Sequence, residues 1–176
     1  MKRAGFTLLE ILLAMALITL GIGWGMTNFR RATRVQELDS STKRLLQTFS
    51  TARAHALSGN KNCEACGAAG GVCGNGDKML TGWQVSVNIN DPSFVLNGYC
   101  ETVNFTNRLA ETIPANITLT SVPARSSIAV IFKPLNQGAD FQSTPTIVDQ
   151  QVAFILRDPV LNLSRTVTVY RSGEVK

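Results

Sequence analysis

Four cysteines carry most of the reactive chemistry in this chain: Cys63, Cys66, Cys73 and Cys100. The first three crowd the glycine-rich stretch C-E-A-C-G-A-A-G-G-V-C. Thiolates at C-x-x-C spacing, with more cysteines nearby, reach a tetrahedral zinc ion. The same four sulfurs close two disulfides in an oxidising compartment, and three pairings are open. The stretch 67–76 lacks the G-K-[ST] of a phosphate loop and reads as an ordinary loop. The chain has one histidine, His55, which leaves little for imidazole catalysis or a multi-histidine metal site. It falls near the end of a packing helix, so a packing or surface role is expected in preference to a Ser-His-Asp arrangement. Arg157, Arg165 and Arg171 read as a basic stripe or as a solvated face. Asn104, Asn116 and Asn162 stand in the glycosylation acceptor pattern, which carries little weight here.

One carboxylate stands in an apolar setting. From Ile11 to Phe29 no residue is charged, with Lys2 and Arg3 before the run and Arg30, Arg31 and Arg34 after it. A bilayer asks for about 20 apolar residues in helical form, so the run reads as a retained membrane span. The residues after it fit a signal-peptide cleavage site poorly. Glu10 sits at its start. A carboxylate costs about 2.5 kcal/mol or more at the bilayer centre, and less near the interface. It therefore either pairs with an opposite charge or marks the headgroup boundary.

The elements that would position these residues follow from periodicity. Val35, Leu38, Leu45, Phe49, Ala52 and Ala56 recur at three- and four-residue steps, with Leu46 and Leu57 widening the stripe. No proline occurs before Pro92, and Gly59-Asn60 supplies a stop, so one helix is expected from Phe6 to Ser58. From Gly82 the period changes to two: Trp83, Val85, Val87 and Ile89 alternate with polar residues. Further strands are expected at 94–96, 100–105, 117–122, 128–132, 152–156 and 166–170, with Asn97-Gly98 among the turns. Strands in succession without long helices between them predict an antiparallel sheet. The fold class is α+β: a long N-terminal helix packed on antiparallel sheet. With 176 residues, 44% apolar and a formal charge of +5, the chain holds one globular core and is not disordered.

Residues Ala4 to Glu10 read A-G-F-T-L-L-E, behind a short basic leader and before the apolar run. This resembles the class III signal of type IV prepilins and pseudopilins. The resemblance implies a prepilin peptidase cut between Gly5 and Phe6, and N-methylation of Phe6. It also implies that Glu10 neutralises the amino terminus of a neighbouring subunit during assembly. Two buried charges that are each costly alone become tolerable as a pair. The organisation it implies is a leader at 1–5, a transmembrane and filament-core helix at 6–29, and an amphipathic helix at 30–59. A Cys/Gly-rich loop at 60–81 and a β-rich domain at 82–176 complete it. A count of flanking charges would put the carboxyl side inside, whereas the resemblance puts it outside. Outside, the cysteines read as disulfides in preference to zinc.

Gly82-Trp83, the run I-A-V-I-F-K-P with a following Gly138, and the ending T-V-T-V-Y-R-S-G-E-V-K resemble the GspH/FimT family of minor pilins and pseudopilins. That likeness implies a type IV pilin-like fold and a non-catalytic minor subunit of a type IV pilus or type II secretion pseudopilus. It implies anchoring in a bacterial inner membrane, with the C-terminal domain periplasmic or extracellular. The partners would be other pilins, prepilin peptidase, the assembly platform and membrane lipid. No cofactor, no metal and no enzymatic activity are expected. The alternative is a DNA-uptake or substrate-binding subunit. Some FimT-type members bind DNA through a basic G-R-x-R end. Here Gly173-Glu174-Val175-Lys176 puts an acid at the first arginine, so nucleic acid is not the expected partner.

Overall fold

The computed structural model describes residues 8–67, 78–101 and 103–176, with backbone alone at 20–28, 103–104 and 106–109. The chain divides into two compact units, Met1–Glu37 and Leu38–Lys176. Helix α1 runs Leu8–Leu57 and supplies residues to both. The expected start of this helix at Phe6 lies outside the described residues.

In the second unit, α1 buries Leu38, Leu45, Phe49, Ala52 and Ala56, the stripe that periodicity predicts. Leu46 and Leu57 do not widen it, because they are 37% and 44% exposed. Ser41 and Thr48 hold the adjacent buried positions instead. The Thr48 hydroxyl donates to the Arg44 carbonyl at 3.0 Å, so it enters the core with its hydrogen bond made. The helix ends in a Schellman arrangement: Gly59 N–H donates to Ala56 O, and Asn60 N–H to His55 O. Gly59 takes φ +65°, which a residue without Cβ adopts at little cost.

Eight strands form two antiparallel sheets. They are β1 Leu80–Asn88, β2 Ser93–Cys100, β3 Val103–Thr112, β4 Thr118–Val122, β5 Ser127–Phe132, β6 Ala139–Gln142, β7 Gln151–Asp158 and β8 Leu163–Tyr170. The first sheet has the order β3-β2-β1-β5-β6, and the second β4-β7-β8. Phe49 joins helix and sheets. Its ring stands edge-on to Phe132 at 6.4 Å and stacks on Phe154 at 5.4 Å. Burying a side chain of this size stabilises the fold by about 1.5–3 kcal/mol.

Three expectations about the strands change. The expected strand at 100–105 is two strand ends and a turn: Cys100 closes β2, Glu101 takes φ 48°, and Val103 opens β3 opposite Cys100. Asn97-Gly98 is not a turn but lies inside β2, paired with Gln84 and Trp83 on one side and with Thr106 and Phe105 on the other. Glycine serves there because the Phe105 ring lies across it. A Cβ at position 98 would sit 2.1 Å from that ring. Ile89 falls just beyond β1, its N–H donating to Ser126 O. Strand β6, the far half of β3 and a four-residue helix α2, Cys63–Cys66, were not expected from the sequence pattern.

Candidate functional site

The first unit presents an apolar helix surface with one acid. Leu8, Leu9, Ile11, Leu12, Leu13, Met15, Leu17 and Ile18 are half or more exposed, Leu8 at 77%. A contiguous surface of this kind marks a partner or a membrane rather than water. Glu10 lies near the start of the described part of α1. It is the only acidic residue between Leu8 and Gln36. Gly5 and Phe6 lie outside the described residues. Among the described residues, no helix is long and apolar enough to cross a membrane.

In the second unit, three of the sequence candidates converge at the end of α1. Cys66 and Cys100 are joined by a disulfide and both are fully buried. Cys63 is disulfide-bonded as well, and Cys73 lies outside the described residues. Helix α2 begins at Asn62, whose Oδ1 accepts from Glu64 N–H and Ala65 N–H at 2.9 and 3.3 Å. It therefore sets Cys66 against the end of β2. Among the described residues, no three of His, Cys, Asp or Glu gather into a metal site.

His55 is part of this packing. Its ring stacks on Trp83 at 4.6 Å, and Phe105 meets Trp83 edge-on at 5.2 Å. Asn60 ties the group together. Its Nδ2 lies 2.8 Å from His55 Nδ1, and its carbonyl accepts Trp83 Nε1–H at 2.8 Å. Gly59-Asn60 signals a helix stop in the sequence. That the same asparagine anchors β1 through Trp83 is a contact 23 residues distant, with no local signal.

The Cys66–Cys100 bridge closes a loop of sequence separation 34. Cross-linking a loop of that length stabilises by about 4 kcal/mol in the chain-entropy account. Cys66→Ala with Cys100→Ala is expected to lower the melting temperature of the full chain by about 10 °C, read by circular dichroism. Thiol titration of the unreduced chain is expected to find no reactive thiol at Cys66 or Cys100, and a chelator to leave the melt unchanged.

The three arginines form no stripe, because each is committed elsewhere. Arg157 Nη2 donates to Asn162 Oδ1, and Arg165 pairs with Asp39 at 2.9 Å. Arg171 donates to the carbonyls of Asp149 and Ile147, both at 2.9 Å, and sits over the Phe141 ring. The carboxyl end is a folded hairpin. Lys176 and Thr168 exchange backbone hydrogen bonds of 2.7 and 2.9 Å, and Tyr170 N–H donates to Glu174 O. The Lys176 ammonium meets the Glu174 carboxylate at 3.2 Å. The hydrogen bond it donates to that carboxylate, then the carboxylate's charge, hold the lysine above its usual pKa. Glu174 thus answers the one cation of the tail.

Comparison with known proteins bears on the first unit. The family described as the prokaryotic N-terminal methylation motif matches residues 1–26. The chain therefore opens as a type IV pilin-like precursor of the kind that prepilin peptidase processes. No curated protein and no solved structure matches the chain.

Proposed function

We propose that this chain is a non-catalytic minor subunit of a type IV pilus or type II secretion pseudopilus, of the GspH/FimT kind. It is held in the bacterial inner membrane by residues 6–29 and then drawn into a filament. One observation carries this reading: the methylation motif at 1–26 leads into an exposed apolar helix surface whose one acid is Glu10. The uncharged run Ile11–Phe29 supports the span, since an apolar helix suits both lipid and a bundle of like helices. The disulfide fits a domain on the oxidising side of the membrane. His55, the sole imidazole, is engaged in stacking and supports a non-catalytic role. The DNA-uptake alternative draws no support from the tail, where Glu174 neutralises Lys176.

Cell fractionation tests this. In cells lacking prepilin peptidase the chain should stay in the inner membrane. In cells with a complete assembly system it should also appear in the sheared-filament fraction, at a small share of the major subunit. Recovery of the chain as free soluble protein in both strains would overturn the reading.

A further inference from the structure

The face of the five-stranded sheet turned away from Phe49 holds a groove of about 580 Å³, within the roughly 300–1,000 Å³ typical of small-ligand sites. Strand alternation builds it. Trp83, Val85 and Val87 face the core, so Gln84, Ser86 and Asn88 face outward. The register sets Asn88 beside Ser93 and Ser127. It sets Ser86 beside Val95 and Ala129, with Gln142 next in that row.

Among the described residues, no charged side chain lines this groove, in a chain whose formal charge is +5. A nucleic acid or an acidic lipid headgroup is held by lysine and arginine, and neither occurs among the described lining residues. An apolar ligand would leave amides and hydroxyls dry and unpaired. We propose that the groove binds a neutral, hydroxyl-rich ligand, a short uncharged oligosaccharide. The amides of Gln84 and Gln142 each carry donor and acceptor atoms, the pattern two adjacent sugar hydroxyls answer, while Asn88 Oδ1 accepts from the N–H groups of Asn90 and Asp91 and leaves its Nδ2 as the donor. Val95 and Ala129 supply a small apolar floor for the carbon-bound hydrogens of a sugar ring. The Gln84 side chain is preset: it is buried, and its Nε2 donates to Ser86 Oγ at 2.8 Å. Beside it, Asn97 stands opposite Gln84 on the same face. Its Oδ1 is buried with no hydrogen-bond partner among the described residues. Asn97 does not itself line the groove, so its Oδ1 is no part of the proposed ligand contact. The groove lies wholly in the unit Leu38–Lys176 and stands apart from the filament reading.

The test is an amide-shift titration of the full chain in micelles of a detergent without sugar. The probes are maltotriose, cellotriose and chitotriose, with a sulfated heparin tetrasaccharide as the charged comparison. At least one neutral trisaccharide should shift the signals of Gln84, Ser86 and Gln142 saturably. The heparin fragment should not compete. Ala129→Arg, which fills the middle row, should weaken binding at least tenfold. Gln142→Ala, which removes one amide and leaves the backbone untouched, should weaken it several-fold. The proposal falls if none of the three neutral sugars binds at millimolar concentration, or if binding survives both variants. It falls equally if Gln142→Cys cross-links to another filament subunit while no sugar binds, because the groove would then be a subunit contact.

Discussion

Chain recovered from cells that contain a prepilin peptidase is expected to begin at Phe6 and to carry one methyl group on its amino nitrogen. The motif match over residues 1–26 supports a prepilin-type precursor, and the resemblance carried by A-G-F-T-L-L-E implies a cut after Gly5. The change is all-or-none and easily read. Intact mass should fall by the five residues Met1–Gly5 and rise by one methyl group. Cleavage also removes Lys2 and Arg3, so formal side-chain charge drops from +5 to +3. The loss matters physically, because two basic groups before the apolar run oppose its withdrawal from the membrane. Gly5→Val, which adds a branched side chain at the cut, should leave the precursor intact. A full-length Met1 terminus in peptidase-containing cells would refute the processing assignment.

Glu10→Ala is expected to insert in the membrane as well as the parent and to fail in assembly. Insertion should not suffer, since the change removes a carboxylate that costs about 2.5 kcal/mol or more at mid-bilayer. Assembly should suffer because the proposed partner is the charged amino terminus of a neighbouring subunit. Removing one member of a buried ion pair costs about 3–5 kcal/mol, which lowers incorporation at least a hundredfold. Glu10→Gln keeps the shape and loses the charge, so it should fail too, whereas Glu10→Asp should be partly active. That series separates charge from packing, since Glu10 sits on a helix surface that is otherwise apolar and exposed. Quantitative blotting of sheared filaments against the membrane fraction reads it. Equal incorporation of parent and Glu10→Gln would show that no charge pairing operates there.

Local chemistry made much of this molecule legible. The uncharged run, the isolated Glu10 and the A-G-F-T-L-L-E signal are contiguous, and contiguous information needs no fold to be read. Periodicity was as direct for α1 in the globular unit, where Leu38, Leu45, Phe49, Ala52 and Ala56 are all buried. The alternation of β1 was equally plain, since one face of that strand meets the core and the other does not. Among the expected turns, Asn97-Gly98 misled. That dipeptide has turn chemistry, but the glycine is needed to seat the Phe105 ring from the next strand.

Position in the sheet, and not local propensity, decided the rest. The short β6 exists because Ala139 to Gln142 pair with Phe132 to Ala129, and four residues of mixed pattern carry no signal without that partner. Which cysteines meet is likewise decided by where α2 and the end of β2 come together, so Cys66 and Cys100 pair across a separation of 34. The three arginines looked alike in sequence and diverged in space, because each found its carboxylate or carbonyl on a different element. The uncharged groove belongs to the same category. Ser86, Ala129 and Gln142 come from three strands, and only the register of an antiparallel sheet lays them side by side. Composition and period are properties of neighbours along the chain; pairing, burial and concavity belong to neighbours across it, and these appear only when the chain has folded.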